Sequence, residues 1–342
     1  MAPTPTTTPM PVPPKGPEIS DMSDETITEN TILVNSQHKN MRLFFVLNTL
    51  VQHLHDFARE VRLTTEEWEE GIKFLTDCGH ITTDIRQEFV LLSDVLGLSV
   101  LVDGISHPKP ENATLGTLLG PFHTHDAEEK EQGDSIVSEG KGEPLLIEGK
   151  LTDTNGDPIA NATIDLWHCD KDGFYDTQYE NRDHADLRGI VRTAEDGSFV
   201  IKASKPVPYP IPSDGPVGKL LKIINRHPYR PAHIHFIIEK PGYDRLITAL
   251  YEKGDPFEKS DAVFGVKSKL LYTLDKVGEE KAKKYNMDKD DWYLHWDFTI
   301  ITEQESVDLV RKKNKEAIVN NKNSPYNLIL NKNGLPEAAP LD

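Results

Sequence analysis

The segment HPYRPAHIHFIIE places two histidines, His233 and His235, two positions apart among alternating apolar residues. In a β-strand, residues at i and i+2 project from the same face, so both imidazoles would face one side of a sheet. Ala232, Ile234 and Phe236 would then face the hydrophobic core on the other side. Two imidazoles on one strand face can bind a single metal ion. The same pattern also fits two surface histidines on an amphipathic strand.

Two tyrosines stand in loops of unusual composition. Tyr209 lies in KASKPVPYPIPSDGPVG, where closely spaced prolines restrict the backbone and make a stiff loop. Tyr175 ends DLWHCDKDGFY, directly after a predicted strand and a Gly-Phe pair. Taken alone, each tyrosine fits a packing role as well as it fits a metal ligand.

Other histidine pairs offer weaker metal sites. His53 and His55 are two positions apart on a predicted helix, where their side chains point in different directions. His123, His125 and Asp126 could bind a metal from an extended segment. However, they begin the acidic stretch DAEEKEQGD, which is typical of a solvated loop.

Composition excludes several classes of protein. The chain has 342 residues, with 56 acidic against 38 basic residues and a formal net charge of -18. This balance argues against a nucleic-acid or anionic membrane partner. No apolar run reaches the roughly 18 residues that span a bilayer, and the N-terminus lacks the pattern of a secretory signal. We therefore expect a cytoplasmic protein without a membrane span.

The two cysteines limit the choice of metal ligands. Cys78 and Cys169 have no CxxC spacing, so neither a disulfide framework nor a zinc-thiolate site is expected. Any metal must be held by histidine, carboxylate or tyrosine.

The N-terminal third reads as a tail followed by helices. Residues 1–35 are rich in Pro and Thr and predict a disordered tail. Residues 36–106 predict a helical domain, with helical spacing from Asn40 to Leu101, a capping box at Thr64 and Glu67 and a stop at Gly79. A third helix is predicted from about Asp84 to Leu101. The first helix is apolar almost all round at its start, which indicates packing on the main body, a dimer interface, or both.

From about Gly142 the period changes to two. The pattern predicts strands around an Asn155-Gly156 turn, hairpins turning at Asp196-Gly197 and Pro241-Gly242, and a strand near Trp296. Short strands without intervening helices predict a mainly β fold, an antiparallel β-sandwich over residues 107–302. Residues 303–342 predict a surface helix near 305–319 and an irregular extension.

Several ordered motifs carry a family resemblance. LWHCDKDGFY, LRGIVRTAEDGSF, PYPIPSDGPVG, RHPYRPAHIHF and GDPFEKSDAVFG together resemble the core of the intradiol ring-cleavage dioxygenases. The helical N-terminal part is similar to that of the catechol and hydroxyquinol 1,2-dioxygenase branches, and the resemblance spans about residues 40–302. It implies a β-sandwich catalytic core with an N-terminal helical dimerisation domain. It also implies a homodimer, in some members with bound lipid between the helices.

The resemblance implies an Fe(III) site, with one iron per subunit. Tyr209 and His235 match its axial ligands, and Tyr175 and His233 match its equatorial ligands. Two tyrosinates and a hydroxide would neutralise the ion, which suits a buried site. The diol would displace Tyr209, which then takes up a proton. Arg230 matches the arginine that faces the substrate and would stabilise a developing carbanion. Both atoms of O2 would enter the product.

The organic substrate is the finer question. DAVFGVK, LSDVLG and LGPFH are more similar to the hydroxyquinol branch, which implies conversion of hydroxyquinol (1,2,4-trihydroxybenzene) to 3-hydroxy-cis,cis-muconate or maleylacetate. The alternative is catechol 1,2-dioxygenase activity, giving cis,cis-muconate. The residues that would surround the substrate are Leu91, Asp94, Leu119, Gly120, Pro121, Phe122, Ile211, Pro212, Arg230, Ala249 and Val263.

Two of these residues bear most on substrate choice. Asp94 could accept a hydrogen bond from a third ring hydroxyl and would stay unpaired beside catechol. It fits equally a polar residue on the exposed side of a helix. Ala249 departs from the family pattern, since members often carry Gln or His there. The substitution widens the pocket or removes a polar contact.

Two other classes of function remain. KLTDTNGDPIANATIDLW resembles the opening of transthyretin-like sandwiches, which often only bind a ligand. A zinc hydrolase could use His233 and His235, but PAHIHF supplies no third ligand nearby. The full set of Tyr, Tyr, His, His and Arg favours the dioxygenase over both.

Overall fold

The computed structural model describes residues 17–36, 39–83 and 86–340. Contacts divide the chain into two compact units, one of which ends at Glu70 and resumes at Arg311, while the other is Gly71–Val310. The helices are α1 Ile27–Asn35, α2 Met41–Val61, α3 Thr65–Ile81, α4 Glu88–Val95, α5 Leu98–Ser106, α6 Pro216–Ile223, α7 Gly278–Tyr285 and α8 Glu303–Asn320.

The strands are short, and most lie between Pro144 and Thr299. They are β1 Glu129–Lys130, β2 Pro144–Thr152, β3 Thr163–Trp167, β4 Arg188–Arg192, β5 Ser198–Ser204, β6 Tyr209–Pro210, β7 Tyr229–Arg230, β8 His233–Glu239, β9 Leu246–Glu252, β10 Leu271–Tyr272, β11 Asp275–Lys276, β12 Trp292–His295, β13 Phe298–Thr299, β14 Leu328–Leu330 and β15 Pro336–Ala338.

The first unit corrects the expectation of a tail up to residue 35. Residues 1–16 lie outside the described part of the chain, but residues 27–35 form α1. Thr28 is buried and its hydroxyl lies 2.9 Å from Nδ1 of His55 on α2. Nε of Arg59 donates to the carbonyl of Asp24 at 3.1 Å. These contacts come from α2, so local composition alone does not predict the helix.

The C-terminal extension is also more regular than predicted. β14 and β15 form an antiparallel hairpin, so the expectation of an irregular C-terminus was wrong. The ring of Tyr326 packs edge-on against Phe44 and Phe45 of α2, at centroid distances of 5.5 and 5.9 Å. Burial of apolar rings therefore stabilises the end of the chain where the local pattern is too short to predict a strand.

The helical boundaries agree in part with the sequence. The capping box is confirmed, since Thr64 N–H donates to Glu67 Oε2 at 3.0 Å and Glu67 N–H donates to Thr64 Oγ1 at 3.2 Å. Gly79 does not end α3, which continues to Ile81. The single helix predicted to Leu101 is two helices, because the backbone turns at Gly97 with a φ of 75°. Asp84 lies outside the described residues.

The second unit contains the predicted β-sandwich. One sheet has the order β1-β4-β3-β8-β9-β10, and the other has β11-β12-β2-β13 with β5 also paired to β2. Pairing is antiparallel at the centre of the first sheet and parallel at its two edges. Ile147, Phe199, Ile234 and Phe236 belong to one buried cluster contributed by both sheets. The fold class is therefore confirmed.

The predicted turns differ in what they join. β8 and β9 form the hairpin expected at Pro241-Gly242. The turn at Asp196-Gly197 exists, but β4 pairs with β3 whereas β5 pairs with β2, so the hairpin prediction was wrong. The chain crosses from one sheet to the other there, which the alternation of apolar residues cannot distinguish from a hairpin.

Within the described residues no single helix is long and apolar enough to cross a membrane. α4 and α5 reach that length and composition only together, and they are bent by 83°.

Candidate metal centre

The two histidines lie on the central strand β8 and face away from the sandwich core, as their spacing predicts. Ile234 and Phe236 are fully buried in that core. His233 and His235 are also buried, each 1% exposed, and their Nε2 atoms are 3.1 Å apart. Because side chains alternate between the two faces of the strand, the Nε2 atoms of these two histidines lie next to each other.

Both predicted tyrosines meet the histidines at this point. The hydroxyl oxygens of Tyr175 and Tyr209 are 3.4 Å apart, and each is 3.4 Å from Nε2 of His233. All these side chains are buried. Among the described residues, no group of three His, Cys, Asp or Glu side chains could hold a metal. The donors gathered here are therefore two phenols and two imidazoles.

Tyr175 is fixed by the turn that precedes it. The Asp170 carboxylate accepts hydrogen bonds from the N–H groups of Asp172 and Phe174, at 3.0 and 3.1 Å. Gly173 has a φ of 82°, and a Cβ there would lie 2.9 Å from Cβ of Tyr209. Only glycine lets the two loops approach this closely. The proximity of the two phenols therefore depends on the Gly that precedes Phe174.

Tyr209 is fixed by a short strand pair. β6 and β7 are antiparallel, with Tyr209 opposite Arg230. The N–H of Ile211 donates to the carbonyl of Pro228 at 2.9 Å, which extends the pairing. The proline-rich loop therefore places Tyr209 directly beside the predicted substrate-facing arginine.

The two imidazoles are held in different ways. Nδ1–H of His233 donates to the carbonyl of Pro231 at 2.7 Å, which leaves Nε2 as the acceptor that faces the tyrosines. The His235 ring is stacked on Trp167, with centroids 4.9 Å apart and planes 5° apart. A Cβ on Gly120 would lie 3.3 Å from His235 Nε2, so a glycine there leaves room for the ring.

Burial sets the protonation of the groups. Desolvation raises the pKa of Tyr175 well above its ordinary value and also raises the pKa of Tyr209. Desolvation lowers the pKa of His233 and His235 well below the ordinary range. The imidazoles are therefore neutral and able to bind a cation. The phenols need a strong local positive charge to ionise, which a trivalent metal would supply.

Arg230 provides the fixed charge beside the donors. Its Nη1 donates to Nε2 of His233 at 3.1 Å, its Nε donates to Asp261 Oδ1 at 3.1 Å, and its Nη2 donates to the Tyr251 hydroxyl at 3.2 Å. Burial acts to lower the pKa of Arg230, but the carboxylate of Asp261 and the neighbouring tyrosines raise it well above the usual value.

Sequence reasoning missed two of these residues. Tyr251 lies opposite His233 in the β8–β9 pair, so it faces the site, and burial raises its pKa to about 12. The predicted hairpin could have identified it, because paired residues share a face. Asp261 stands in GDPFEKSDAVFG, which was used only as part of a resemblance.

The residues predicted to surround the substrate are called the substrate wall below. Part of this predicted wall forms an apolar cluster in the second unit. Ile211 and Val263 are buried in this cluster, and Leu91 packs against it. Asp94 is half-buried on α4. Burial raises the pKa of Asp94, while a hydrogen bond from Ser99 and the charge of Arg230 act to lower it. The side chain of Asp94 is thus neither fully exposed nor isolated from the site.

The remaining predicted pocket residues lie in two settings. Ala249 is fully buried and stands opposite His235, on the same face of the sheet. The Phe122 ring stacks on Tyr175 at a centroid distance of 4.4 Å. By contrast, Leu119, Pro121 and Pro212 have exposed side chains.

In the alternative site at His123 and Asp126, both side chains have other partners. His123 Nε2 is 2.8 Å from Asp165 Oδ2, and its ring packs edge-on against Trp167. Asp126 forms an ion pair with Arg182 at 2.7 Å. His123 therefore supports the indole on which His235 stacks.

Comparison with known proteins gives the family. A family model described as "Dioxygenase" matches residues 118–300, and one described as "Catechol dioxygenase N terminus" matches residues 40–114. An intradiol ring-cleavage dioxygenase of Aspergillus niger, hqdA, is 53% identical over 304 residues, covering 89% of this chain and 92% of the relative. The chain belongs to the intradiol ring-cleavage dioxygenases.

Solved structures show the same fold. The hydroxyquinol 1,2-dioxygenase of Pseudomonas putida aligns with a TM-score of 0.78 and 40% identity, over 82% of this chain and 99% of that one. The catechol 1,2-dioxygenase of Acinetobacter radioresistens aligns with a TM-score of 0.71 and 26% identity, over 83% and 95%. As an intradiol dioxygenase the chain is an enzyme, and the binding-module and zinc-hydrolase readings are set aside.

Proposed function

We propose that this intradiol dioxygenase binds one Fe(III) per subunit through Tyr175, Tyr209, His233 and His235, and that its substrate is hydroxyquinol. Cleavage between adjacent hydroxylated carbons would give 3-hydroxy-cis,cis-muconate, whose keto form is maleylacetate. The observation that carries the proposal is the meeting of these four donors in a buried cluster beside Arg230.

The donor set fits a hard trivalent cation. Phenolate oxygen is a hard anionic donor, imidazole suits iron, and two phenolates offset most of the charge of the ion. When bound, Fe(III) supplies Lewis acidity that draws electron density from a chelated diolate and makes its ring reactive towards O2.

The protein's own residues would bind and orient the diol and move its protons. Tyr209 stands opposite Arg230 in the β6–β7 pair. We assign its phenolate oxygen, ionised in the iron-bound enzyme, the role of accepting a diol proton. Arg230 is buried, and it would stabilise negative charge that develops on the ring. Phe122 and Trp167 pack over Tyr175 and His235 and keep water from two ligands.

Asp94 supports hydroxyquinol over catechol. It is half-buried, and its carboxyl is close enough to Arg230 for the two charges to interact. A third ring hydroxyl could donate to this carboxyl, whereas catechol would leave it without that partner. The small side chain of Ala249, opposite His235, leaves more space beside the ligands than Gln or His would.

Relatives support the same substrate. Hydroxyquinol 1,2-dioxygenases of Rhizobium and Corynebacterium glutamicum are 46% and 47% identical to this chain over 237 and 245 residues. A catechol 1,2-dioxygenase of Candida albicans is 37% identical over 262 residues, so catechol is the second candidate substrate.

The helical unit favours a homodimer. One side of α2 carries apolar side chains that are each more than two-fifths exposed: Leu43, Val46, Leu47, Leu50, Leu54, Phe57 and Val61. An exposed stripe of this length is typical of an interface, and we propose that it pairs two subunits, with lipid as a further occupant. Light scattering at micromolar concentration should give a dimer, and a monomer would contradict this. A cytoplasmic location stays a prediction.

Oxygen uptake tests the function directly. The purified, iron-loaded enzyme should consume one O2 per diol, and faster with hydroxyquinol than with catechol at equal concentration. Product spectra should identify a ring-opened dicarboxylate. Faster turnover of catechol would overturn the substrate assignment but not the iron site. If the enzyme consumes no oxygen with either diol, the proposed reaction on these two substrates is wrong.

A further inference from the structure

The guanidinium of Arg230 is held on one edge by two residues. Asp261 Oδ1 accepts from Nε at 3.1 Å, Asp261 Oδ2 lies 3.4 Å from Nη2, and the Tyr251 hydroxyl accepts from Nη2 at 3.2 Å. The nitrogen that remains is Nη1, which lies 3.1 Å from Nε2 of His233. Because the guanidinium is planar and rigid, fixing one edge determines where the other edge points.

Asp261 also binds the backbone that follows it. Its Oδ1 accepts from the N–H of Val263 at 3.3 Å, and its Oδ2 accepts from the N–H of Gly265 at 2.9 Å. The carboxylate is buried, at 5% residue exposure. Val263 belongs to the apolar cluster of the substrate wall. One carboxylate therefore joins the substrate-facing cation to the wall of the pocket.

Gly265 completes this arrangement. A Cβ there would lie 2.5 Å from the Tyr251 hydroxyl, 2.9 Å from Arg230 Nη2 and 3.1 Å from Asp261 Oδ2. The carbonyl of Gly265 accepts from Thr117 Oγ1 at 2.8 Å, which fixes the backbone from its other side. The space that a side chain would occupy is filled by the groups that orient the arginine.

A carboxylate beside a buried arginine could serve only to neutralise its charge. Neutralisation alone requires proximity, whereas Asp261 uses both oxygens in four directed hydrogen bonds to a side chain and a turn. Directed bonds of this kind restrict rotation of the guanidinium as well as stabilising its charge.

We propose that Asp261 is a positioning residue, which together with Tyr251 orients Nη1 of Arg230 towards the reacting diol. Through its bond to the backbone of Val263, it also fixes the guanidinium relative to that turn. This inference rests on the proposed function, and it explains what sets the orientation of the Arg230 guanidinium. Asp261 does not touch the substrate and acts through Arg230.

Two substitutions separate positioning from neutralisation. Asp261→Asn removes the charge and turns an amide N–H2 towards donors on Arg230 and the turn. Gly265→Ala keeps the carboxylate but places a methyl group against Arg230 and Tyr251. Under the positioning proposal both lower kcat by about 10- to 100-fold, the effect expected of an outer partner, with smaller changes in KM. Because this methyl group displaces the arginine while the charge of Asp261 is kept, an unchanged kcat in Gly265→Ala would overturn the proposal that the direction of Nη1 matters.

A double-mutant cycle provides the test. We would measure Asp261→Asn, Arg230→Lys and the double variant, with rates expressed per bound iron and Asp244→Asn as a control. Asp244 forms an ion pair with Lys109 away from the ligands, so its loss should leave kcat unchanged. Because Asp261 acts through Arg230, the double variant should be no slower than Arg230→Lys. Full additivity would overturn the proposal.

Anaerobic titration with a diol supplies a readout other than turnover. The tyrosinate-to-iron absorption of the resting variants should match wild type, because the four proposed ligands are retained, and its change on diol binding should be altered in Asp261→Asn and Gly265→Ala. Loss of resting absorption in both variants would show a merely structural role and overturn positioning. If the wild-type enzyme lacks this absorption or takes up no oxygen, the proposed function fails instead.

Discussion

The four proposed metal ligands and the proposed substrate wall are built from different parts of the fold. The proposed ligands come from β8, from β6 and from the turn that follows β3, and all are buried. The proposed wall comes mainly from α4, residues 119–122, residues 211–212 and Val263, and it includes half-buried and exposed side chains. A rigid strand fixes donor atoms more closely than a helix or loop fixes a wall. Metal binding and substrate choice should therefore respond to different substitutions.

Loss of a strand ligand should have the largest effect. We expect His235→Ala to lose most of its iron and to reduce activity by at least about 100-fold, more than the loss of a partner outside the ligand set. Iron content and oxygen uptake measure both effects. His295→Ala is the matched control, since His295 is an exposed side chain paired with Asp297. Full iron content in His235→Ala would contradict the assignment.

Loss of the proposed base should separate iron binding from turnover. Tyr209→Phe should retain some iron through the other ligands but lower kcat by about 100- to 10,000-fold, the range for a general base. Tyr293→Phe serves as a control, because that hydroxyl bonds Glu148 on β2. Wild-type activity in Tyr209→Phe would show that Tyr209 is not the base.

A change in the wall should alter selectivity alone. Asp94→Ala should reduce kcat/KM for hydroxyquinol about tenfold relative to catechol, as expected when one hydrogen bond to a carboxyl is lost. Iron content should not change. Leu92→Ala, next to the same cluster on α4, controls for general disturbance of the helix. Equal losses on both substrates would refute the role of Asp94.

The selectivity for hydroxyquinol over catechol should also depend on pH, with a smaller effect than that of Asp94→Ala and only when Asp94 is present. Burial raises the pKa of Asp94, so its carboxylate is protonated at a higher pH than an ordinary aspartate, whose pKa is about 3.9. Because the charged form is the stronger acceptor, the ratio of hydroxyquinol to catechol kcat/KM should fall as pH falls through this raised pKa. In Asp94→Ala the ratio should be flat. An identical pH dependence in both proteins would exclude Asp94 as the titrating group.

The two regions also differ in how far the sequence predicts them. The alternation in HIHFIIE predicts that His233 and His235 share a face, and the structure shows this. The approach of Tyr175 and Tyr209 depends on two loops folding onto β8, which no local pattern encodes. Family resemblance supplied those residues, and physical reasoning from the sequence alone left them open.

The partners of Arg230 show where prediction from local patterns ends. Asp261 is 31 positions away from Arg230 along the chain, and Tyr251 is 21 positions away. Only the register of β8 against β9 and the turn after Asp261 bring them together. The crossing from β4 to β5 was missed for the same reason, since sheet membership depends on tertiary pairing and not on alternation.

Resonance Raman spectroscopy of the iron-loaded enzyme, excited in its visible absorption, tests the central claim most directly. Wild type should show vibrations of iron-bound tyrosinate, with about one iron per chain, as expected if Tyr175 and Tyr209 are both ligands. Tyr175→Phe and Tyr209→Phe should each weaken these vibrations, whereas Tyr293→Phe should leave them unchanged. An active enzyme that lacks tyrosinate vibrations, or is colourless and free of iron, would contradict the account.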